Sequence, residues 1–156
     1  MNNIPKDVAE AVLQHLQDAY KLDDNSFVPW AGIYICSRFG LEYPPWIRKY
    51  LQDSSERIFK MPRDDGERLA DKMMPALAMS TVGQGNELTR YYRLMKKVDA
   101  YCTFHEIMSQ EKGLPRGQAI EKVVEILVEK YGEDEVSEKS VTNWINNIDS
   151  KLANSR

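Results

Sequence analysis

The amino-acid sequence predicts an all-α protein: a multi-helix bundle around a long central helix, with a pair of shorter helices at the C-terminus. Apolar residues recur at every third or fourth position along most of the chain, which is the spacing of an amphipathic helix. The strict apolar and polar alternation that marks a strand is not found between turn residues. Proline and glycine fall where the periodic segments begin and end, as expected at helix termini.

The composition describes a globular protein without a strong charge bias. The 156 residues suffice for one ordinary domain, or for one domain with a small appendage. Apolar runs are too short to span a bilayer and no signal-peptide pattern is seen, so we expect no membrane partner. The two cysteines, Cys36 and Cys102, lie in apolar helical patterns; we predict free buried thiols and a cytoplasmic protein.

The N-terminal part contains three helical patterns. The first covers residues 5–20 and opens with Pro5, which suits a first helical position. The second covers residues 27–39 and ends at Gly40. It is so apolar that we expect it to be buried on more than one side, through Trp30, Ile33, Tyr34 and Cys36. The third covers residues 45–59. The positions predicted to face inward are Val8, Val12, Leu13, Leu16 and Tyr20 in the first helix and Trp46, Ile47, Tyr50, Leu51 and Ile58 in the third.

The middle of the chain contains the longest helical pattern. Residues 60–85 are interrupted by proline and glycine, which leaves a short helix near residues 67–74 and a mobile loop at 81–85. Asn86 is placed to cap the central helix, residues 87–112. Two apolar lines run along this helix, so we expect it to lie in the core or to form the contact of a homodimer. The lines are Leu88, Tyr91, Met95, Val98, Cys102 and His105, and Leu94, Tyr101, Phe104 and Met108.

Residues 113–156 form a C-terminal helix pair beside a helical core region of residues 1–112, unless the two parts make one continuous domain. Gly132 and a short loop ending at Ser137 separate the two helices. Helices with matching apolar faces pack on each other and on a third element, so we expect Trp144 to be buried. The two faces are Ile120, Val123, Val124, Leu127, Val128 and Tyr131, and Val141, Trp144, Ile145, Ile148 and Leu152.

The outward side chains of the last helix are suited to DNA. Serine, threonine and asparagine can hydrogen-bond base edges, and asparagine can bind adenine at two points. Lysine can contact phosphate, and the N-terminal end of such a helix is the part that enters the major groove. The candidate DNA-binding residues are Lys139, Ser140, Thr142, Asn143, Asn147 and Lys151.

Residues 131–145 resemble the helix-turn-helix superfamily of bacterial and phage regulators. Residues 137–145 read Ser-Glu-Lys-Ser-Val-Thr-Asn-Trp-Ile, with a capping serine, small polar residues and then Val-x-x-Trp-Ile. The resemblance implies that Ser137 caps a recognition helix and that Trp144 anchors it. It also implies a sequence-specific regulator that binds DNA, usually as a dimer on two half-sites. Residues 30–40 and 45–51 resemble small uncharacterised bacterial proteins, which implies no activity.

Two features favour a protein partner instead. The net charge is −3, whereas nucleic-acid binders usually show a basic excess. The loop of the C-terminal pair carries Glu133, Asp134 and Glu135, which would repel phosphates, and it is longer than a usual helix-turn-helix turn. The alternative is therefore a helical protein-binding module, such as an adaptor or a phage-encoded inhibitor of a host complex, without nucleic-acid binding.

Other chemistries find little support. Arg90, Arg93 and Lys97 form the most basic edge of the central helix, and we interpret it as a solvated face. Cys102, His105 and Glu106 are too few for a zinc site, and no close Cys-x-x-Cys pair exists. No catalytic group has a base or phosphate-binding loop beside it. We therefore expect no enzyme activity, no metal and no cofactor.

Overall fold

The computed structural model describes residues 5–23, 25–61, 73, 77 and 84–153, and in the last range the side chains of 88–150 and 153. These residues form six α-helices, one short 3-10 helix and no strand, so the all-α prediction is confirmed. None of these helices is both long and apolar enough to cross a membrane. The helices are α1 Lys6–Asp23, α2 Val28–Phe39, α3 Pro45–Phe59, α4 Gln84–Gln110, α5 Arg116–Tyr131 and α6 Glu138–Ala153, with the 3-10 helix Glu133–Glu135 before α6.

The long helix α4 differs from its predicted bounds. It begins at Gln84 rather than at residue 87, so Asn86 lies within the helix and the prediction that it caps the helix was wrong. The last two residues of the loop predicted at 81–85 are therefore helical. The rest of that loop lies outside the described residues, as does the short helix predicted near 67–74, apart from Met73.

The chain divides into two compact units. The terminal unit consists of Met1–His15 and Tyr92–Arg156, and the middle unit consists of Leu16–Tyr91. The divisions fall inside α1 and α4, so each of these helices contributes residues to both units. The C-terminal pair α5 and α6 belongs to the terminal unit together with the second part of α4.

In the middle unit, α2 and α3 pack closely because α2 carries a glycine at the contact. A Cβ atom on Gly32 would lie 2.6 Å from Cδ1 of Ile47 and 2.9 Å from Cη2 of Trp46. Any larger residue would therefore require the side chains of Ile47 and Trp46 to shift. As predicted, α2 ends at Gly40, whose φ of 63° lies in the left-handed region that glycine adopts without strain.

Three burial predictions in the middle unit were wrong. Trp30 is 38% exposed, Tyr34 is 53% exposed and Ile58 is 38% exposed. The buried face of α2 is made by Val28, Ala31, Ile35 and Cys36, and Trp30 and Tyr34 follow one another on a different side of the helix. Ile58 lies in the last turn of α3, beside the largely exposed Phe59. A high apolar content therefore did not imply that α2 is buried all round.

The terminal unit has an apolar core supplied by four helices. Each large side chain that is fully buried contributes roughly 1.5–3 kcal/mol relative to exposure. Both cysteines are free and buried, as predicted. The core side chains are Val8, Ala9, Ala11, Val12 and Leu13 of α1, Val98, Ala100, Tyr101, Cys102, Phe104 and Ile107 of α4, Ala119, Ile120, Val123 and Leu127 of α5, and Val136, Val141, Ile145 and Ile148 around α6.

Candidate nucleic-acid interface

Helix α6 buries most of its predicted apolar face against α5. Val141 and Ile145 are 0% exposed and Ile148 is 1% exposed. Trp144 is only half-buried, so the prediction that it is fully buried was wrong. Successive helical residues are rotated by about 100°, which places Trp144 at the margin of the strip formed by the other three residues. The helix phase is therefore correct, and the indole lies where the buried face meets solvent.

The connection between α5 and α6 is built from a glycine and a buried valine. Gly132 has a φ of 93° and donates its backbone N–H to the carbonyl of Val128 at 2.8 Å, which closes α5. Val136, directly before the cap residue, is 5% exposed, and Val141 is fully buried. These are the two positions of a hydrophobic staple, which fixes the angle at which the chain enters a helix.

Ser137 and Ser140 cap α6 reciprocally. The backbone N–H of Ser140 donates to Oγ of Ser137 at 3.2 Å, and the N–H of Ser137 donates to Oγ of Ser140 at 2.9 Å. The Ser140 hydroxyl also donates to the carbonyl of Ser137 at 2.8 Å. This is a capping box in which serine occupies the position that glutamate or glutamine usually fills. The prediction that Ser137 caps the helix is confirmed.

One strip of α6 points away from the core and is fully polar. Lys139, Asn143 and Asn147 are exposed and follow one another at intervals of one helical turn. Asn146 and Ser150 are exposed beside them. We call these five residues the polar face of α6. Its charge comes from a single lysine, and its other members are amides and a hydroxyl.

The remaining candidate residues are placed differently. Ser140 is half-buried and its hydroxyl serves the cap, so it has less capacity for an external partner. Thr142 is half-buried at the edge of the polar face. The side chain of Lys151 lies outside the described residues. The structure thus brings three of the six predicted residues into one exposed strip.

Arg116, the first residue of α5, contacts the second half of α6. Its guanidinium donates to Oδ1 of Asn146 at 2.8 Å and lies 3.7 Å from the carboxylate of Asp149. Its central carbon lies 5.0 Å from the ring centroid of Phe104. Tyr101 of α4 donates its hydroxyl to the same Asp149 at 2.9 Å. This network holds α6 against α4 and α5, and the sequence pattern did not reveal it because its partners are far apart in the chain.

The acidic loop is partly neutralised by α4. Lys96 forms an ion pair with Glu135. The hydrogen bond and charge of Lys96, with a smaller contribution from Arg93, hold the pKa of Glu135 below its usual value. Lys96 therefore balances one of the three loop acids that would otherwise repel phosphate.

Asp99 ties α4 to the end of α5. Its carboxylate accepts hydrogen bonds from Lys130 and from the hydroxyl of Tyr131. Burial and then the neighbouring carboxylate raise the pKa of Tyr131 to about 12, so this hydroxyl keeps its proton at neutral pH. Lys96 and Lys130 lie 5.6 and 5.1 Å from the centroid of the Tyr131 ring. Lys96 and Lys130 are thus committed to contacts within the protein.

His105 lies between two aromatic rings of the terminal unit. Its ring centroid is 4.5 Å from that of Tyr101 and 5.2 Å from that of Phe104. Its Nε2 atom is buried and has no hydrogen-bond partner in the part of the chain that the structure describes. Burial lowers its pKa, opposed by the charges of Asp149 and Asp7. Among the described residues, no three His, Cys, Asp or Glu side chains gather closely enough to hold a metal ion.

The middle unit carries an exposed aromatic strip on α2, formed by Trp30, Tyr34 and Arg38. Arg38 donates to the hydroxyl of Tyr34 at 3.4 Å. Trp30 packs edge-on against Tyr50 with ring centroids 6.1 Å apart. Tyr50 is held in turn by donating its hydroxyl to the carbonyl of Leu77 at 2.9 Å. The aromatic strip is therefore exposed to solvent, and the packing of Trp30 against Tyr50 holds it in place.

In comparisons with protein-family models, with curated proteins and with solved structures, the chain has no significant match.

Proposed function

We propose that the protein is a small DNA-binding regulator that contacts the major groove with the polar face of α6. The observation that carries the proposal is the exposed strip Lys139, Asn143 and Asn147, which begins just after the capped start of the helix. A helix with a fixed N-terminal end and protruding amides has the shape and the hydrogen-bonding groups that base edges require. The buried valine and isoleucine residues on the opposite side keep that strip turned outward.

Charge limits how such a protein can bind. Lys122 pairs with Glu111 and Lys130 with Asp99, so these lysines contribute little to a field that attracts DNA. Lys139 forms no ion pair within the described residues and is the cation of the polar face. We therefore expect few phosphate contacts, a shallow salt dependence, and binding that is measurable mainly at low ionic strength.

The test is fluorescence anisotropy with a labelled random duplex, first at low salt and then across a salt titration. Lys139→Gln should weaken binding to every sequence and make the slope of log K against log salt shallower by about one. Lys112→Gln is the matched control, because Lys112 is also an exposed lysine of the terminal unit and, like Lys139, forms no ion pair within the described residues. The control removes the same charge at a site remote in sequence from α6 and should leave the slope unchanged.

Three outcomes decide the proposal. A change in slope for Lys139→Gln alone supports contact through α6. Equal changes in both variants would mean that only net charge matters. Absence of binding by the parent protein at low salt and high micromolar concentration would eliminate the regulator.

The aromatic strip favours a second candidate function, a helical protein-binding module. Tryptophan, tyrosine and arginine are the residues that most often dominate protein interfaces, and these three are exposed together on α2. Trp30 is already held against Tyr50, so little conformational freedom would be lost when a partner binds. A surface of this kind needs no basic charge, which agrees with the net charge of −3.

This candidate is tested by placing a photo-crosslinking residue at position 34 and irradiating cells that contain the natural partner. A discrete adduct that disappears in the Trp30→Ala background would support the module. The control places the same residue at Lys49, which is exposed on α3 and pairs with Asp53 at 3.1 Å. Adducts at both positions, or at neither, would count against a partner on the aromatic strip.

A further inference from the structure

We propose that the polar face of α6 selects A·T base pairs, with Asn143 and Asn147 each bound to an adenine in the major groove. This inference rests on the proposed DNA binding and adds the class of base that is read. It is carried by the kinds of side chain that the face presents and by which of them are already engaged within the protein.

The polar face has one lysine, Lys139, which the proposal assigns to phosphate, and few other groups that read the other bases. Guanine is read most often by a bidentate arginine or lysine, and cytosine by a carboxylate. No arginine is present between positions 138 and 150. Of the two acids there, Asp149 accepts the Tyr101 hydroxyl and lies beside Arg116. Glu138 is rotated by about 100° from Lys139 and so lies off the polar face. What the face offers along its length is amide groups, which match adenine N6 and N7.

The asparagines of the polar face differ in whether their side-chain amides are already hydrogen-bonded within the protein. Oδ1 of Asn146 already accepts a hydrogen bond from Arg116 at 2.8 Å, so this amide is oriented by the protein. The side chains of Asn143 and Asn147 are exposed and form no such bond within the described residues. An adenine contact needs both the carbonyl and the amino group of the amide, and in these two residues both groups are available for hydrogen bonds.

The spacing of the two amides suits successive contacts along a groove. Asn143 and Asn147 are four residues apart, which is about 6 Å along the helix axis at about 1.5 Å per residue. Base pairs in a duplex are about 3.4 Å apart, so the two amides would reach positions about two base pairs from one another. Lys139, one turn before Asn143, is then left at the groove edge, where phosphate is within reach of a long side chain.

The experiment selects bound duplexes from a random pool with the parent protein, and then measures affinity for the selected site and its variants. We expect adenines about two base pairs apart in the bound pool. Replacing either A·T pair by G·C should weaken binding by about 5- to 150-fold. Replacing either adenine by 7-deazaadenine, which keeps base pairing but removes N7, should also weaken it.

The protein variants assign each position. Asn143→Ala should abolish the preference at one adenine only, and Asn147→Ala at the other only. Gln52→Ala is the matched control, because it removes an exposed amide from α3 in the middle unit rather than from the polar face, and it should leave both base preferences unchanged. A duplex-bound pool without adenine enrichment, or enriched in G·C, would overturn this inference and leave DNA binding intact. Failure to bind any duplex would overturn both, and the two failures are therefore distinguishable.

Discussion

Loss of the reciprocal cap should destabilise α6 by a measurable and non-additive amount. Ser137→Ala removes the acceptor of the Ser140 N–H, and Ser140→Ala removes the acceptor of the Ser137 N–H. Ser137 is exposed and Ser140 is half-buried, so water replaces part of each lost bond. Each substitution should therefore cost about 1 kcal/mol, within the range of about 0.5–2 kcal/mol for N-terminal caps.

The double substitution should cost less than the sum of the single ones. The two hydroxyl oxygens lie 3.0 Å apart and bond to each other, so each single variant already disturbs both halves of the cap. Residues that share one hydrogen-bond network give interaction free energies of about 0.5–3 kcal/mol in a double-mutant cycle. Urea unfolding followed by circular dichroism provides the four free energies that the cycle needs.

The matched control is Ser150→Ala in the same helix. The Ser150 hydroxyl donates to the carbonyl of Asn147 at 3.0 Å, but this carbonyl lies inside the helix and does not depend on it. Alanine has the higher helix propensity, so this variant should be neutral or slightly stabilised. Ser137→Asp keeps an acceptor at the cap and should recover most of the stability lost in Ser137→Ala. If Ser137→Ala is no less stable than Ser150→Ala, the cap is not formed in solution.

Four further substitutions test packing and protonation. Ile145→Ala should cost about 2–5 kcal/mol in urea unfolding. Trp144→Ala should cost less than the roughly 3–5 kcal/mol of a core tryptophan because the indole is half-buried, and a cost within or above that range would contradict its partial burial. Gly32→Ala should cost about 1–3 kcal/mol by forcing its Cβ against Ile47, offset by about 1 kcal/mol of helix propensity, and a thermal midpoint raised by the full propensity gain would show that the contact is looser. Burial lowers the pKa of His105 from 6.5, so the unfolded chain binds a proton more tightly than the folded chain does. The stability associated with the neutral imidazole is therefore present above about pH 6.5 and is lost as the pH falls through the folded pKa. His105→Leu should remove that component, so parallel pH–stability curves for parent and variant would exclude it.

Local patterns were sufficient to predict the helices of the C-terminal pair. Val141, Ile145 and Ile148 are buried as their spacing indicates, and Ser137 caps α6 as its position before the periodic segment suggests. Trp144 was misplaced because periodicity gives the centre of an apolar face better than its margin. These properties depend on neighbours within one or two turns, which a sequence displays directly.

Contacts between distant residues could not be predicted in the same way. The ion pair of Lys96 with Glu135 joins residues 39 apart, and the bond of Arg116 to Asn146 joins residues 30 apart. Nothing in the spacing of either residue identifies its partner. Ser140 was misassigned for a different reason, because its partner Ser137 is only three residues away: its polar side chain suggested an outward role although its hydroxyl completes the cap. The composition of the polar face was therefore predictable, but the availability of each group was not.

The position of Trp144 gives the protein an intrinsic optical probe. The chain has three tryptophans, and Trp144 is the one in the terminal unit, since Trp30 and Trp46 belong to the middle unit. With Trp30→Phe and Trp46→Phe, all indole emission would arise from α6. Because that indole is half in contact with water, its emission can shift in either direction, to the blue when a ligand covers the edge of the helix and to the red when the helix detaches. Binding and unfolding of this one element could then be followed in a single titration without an added label.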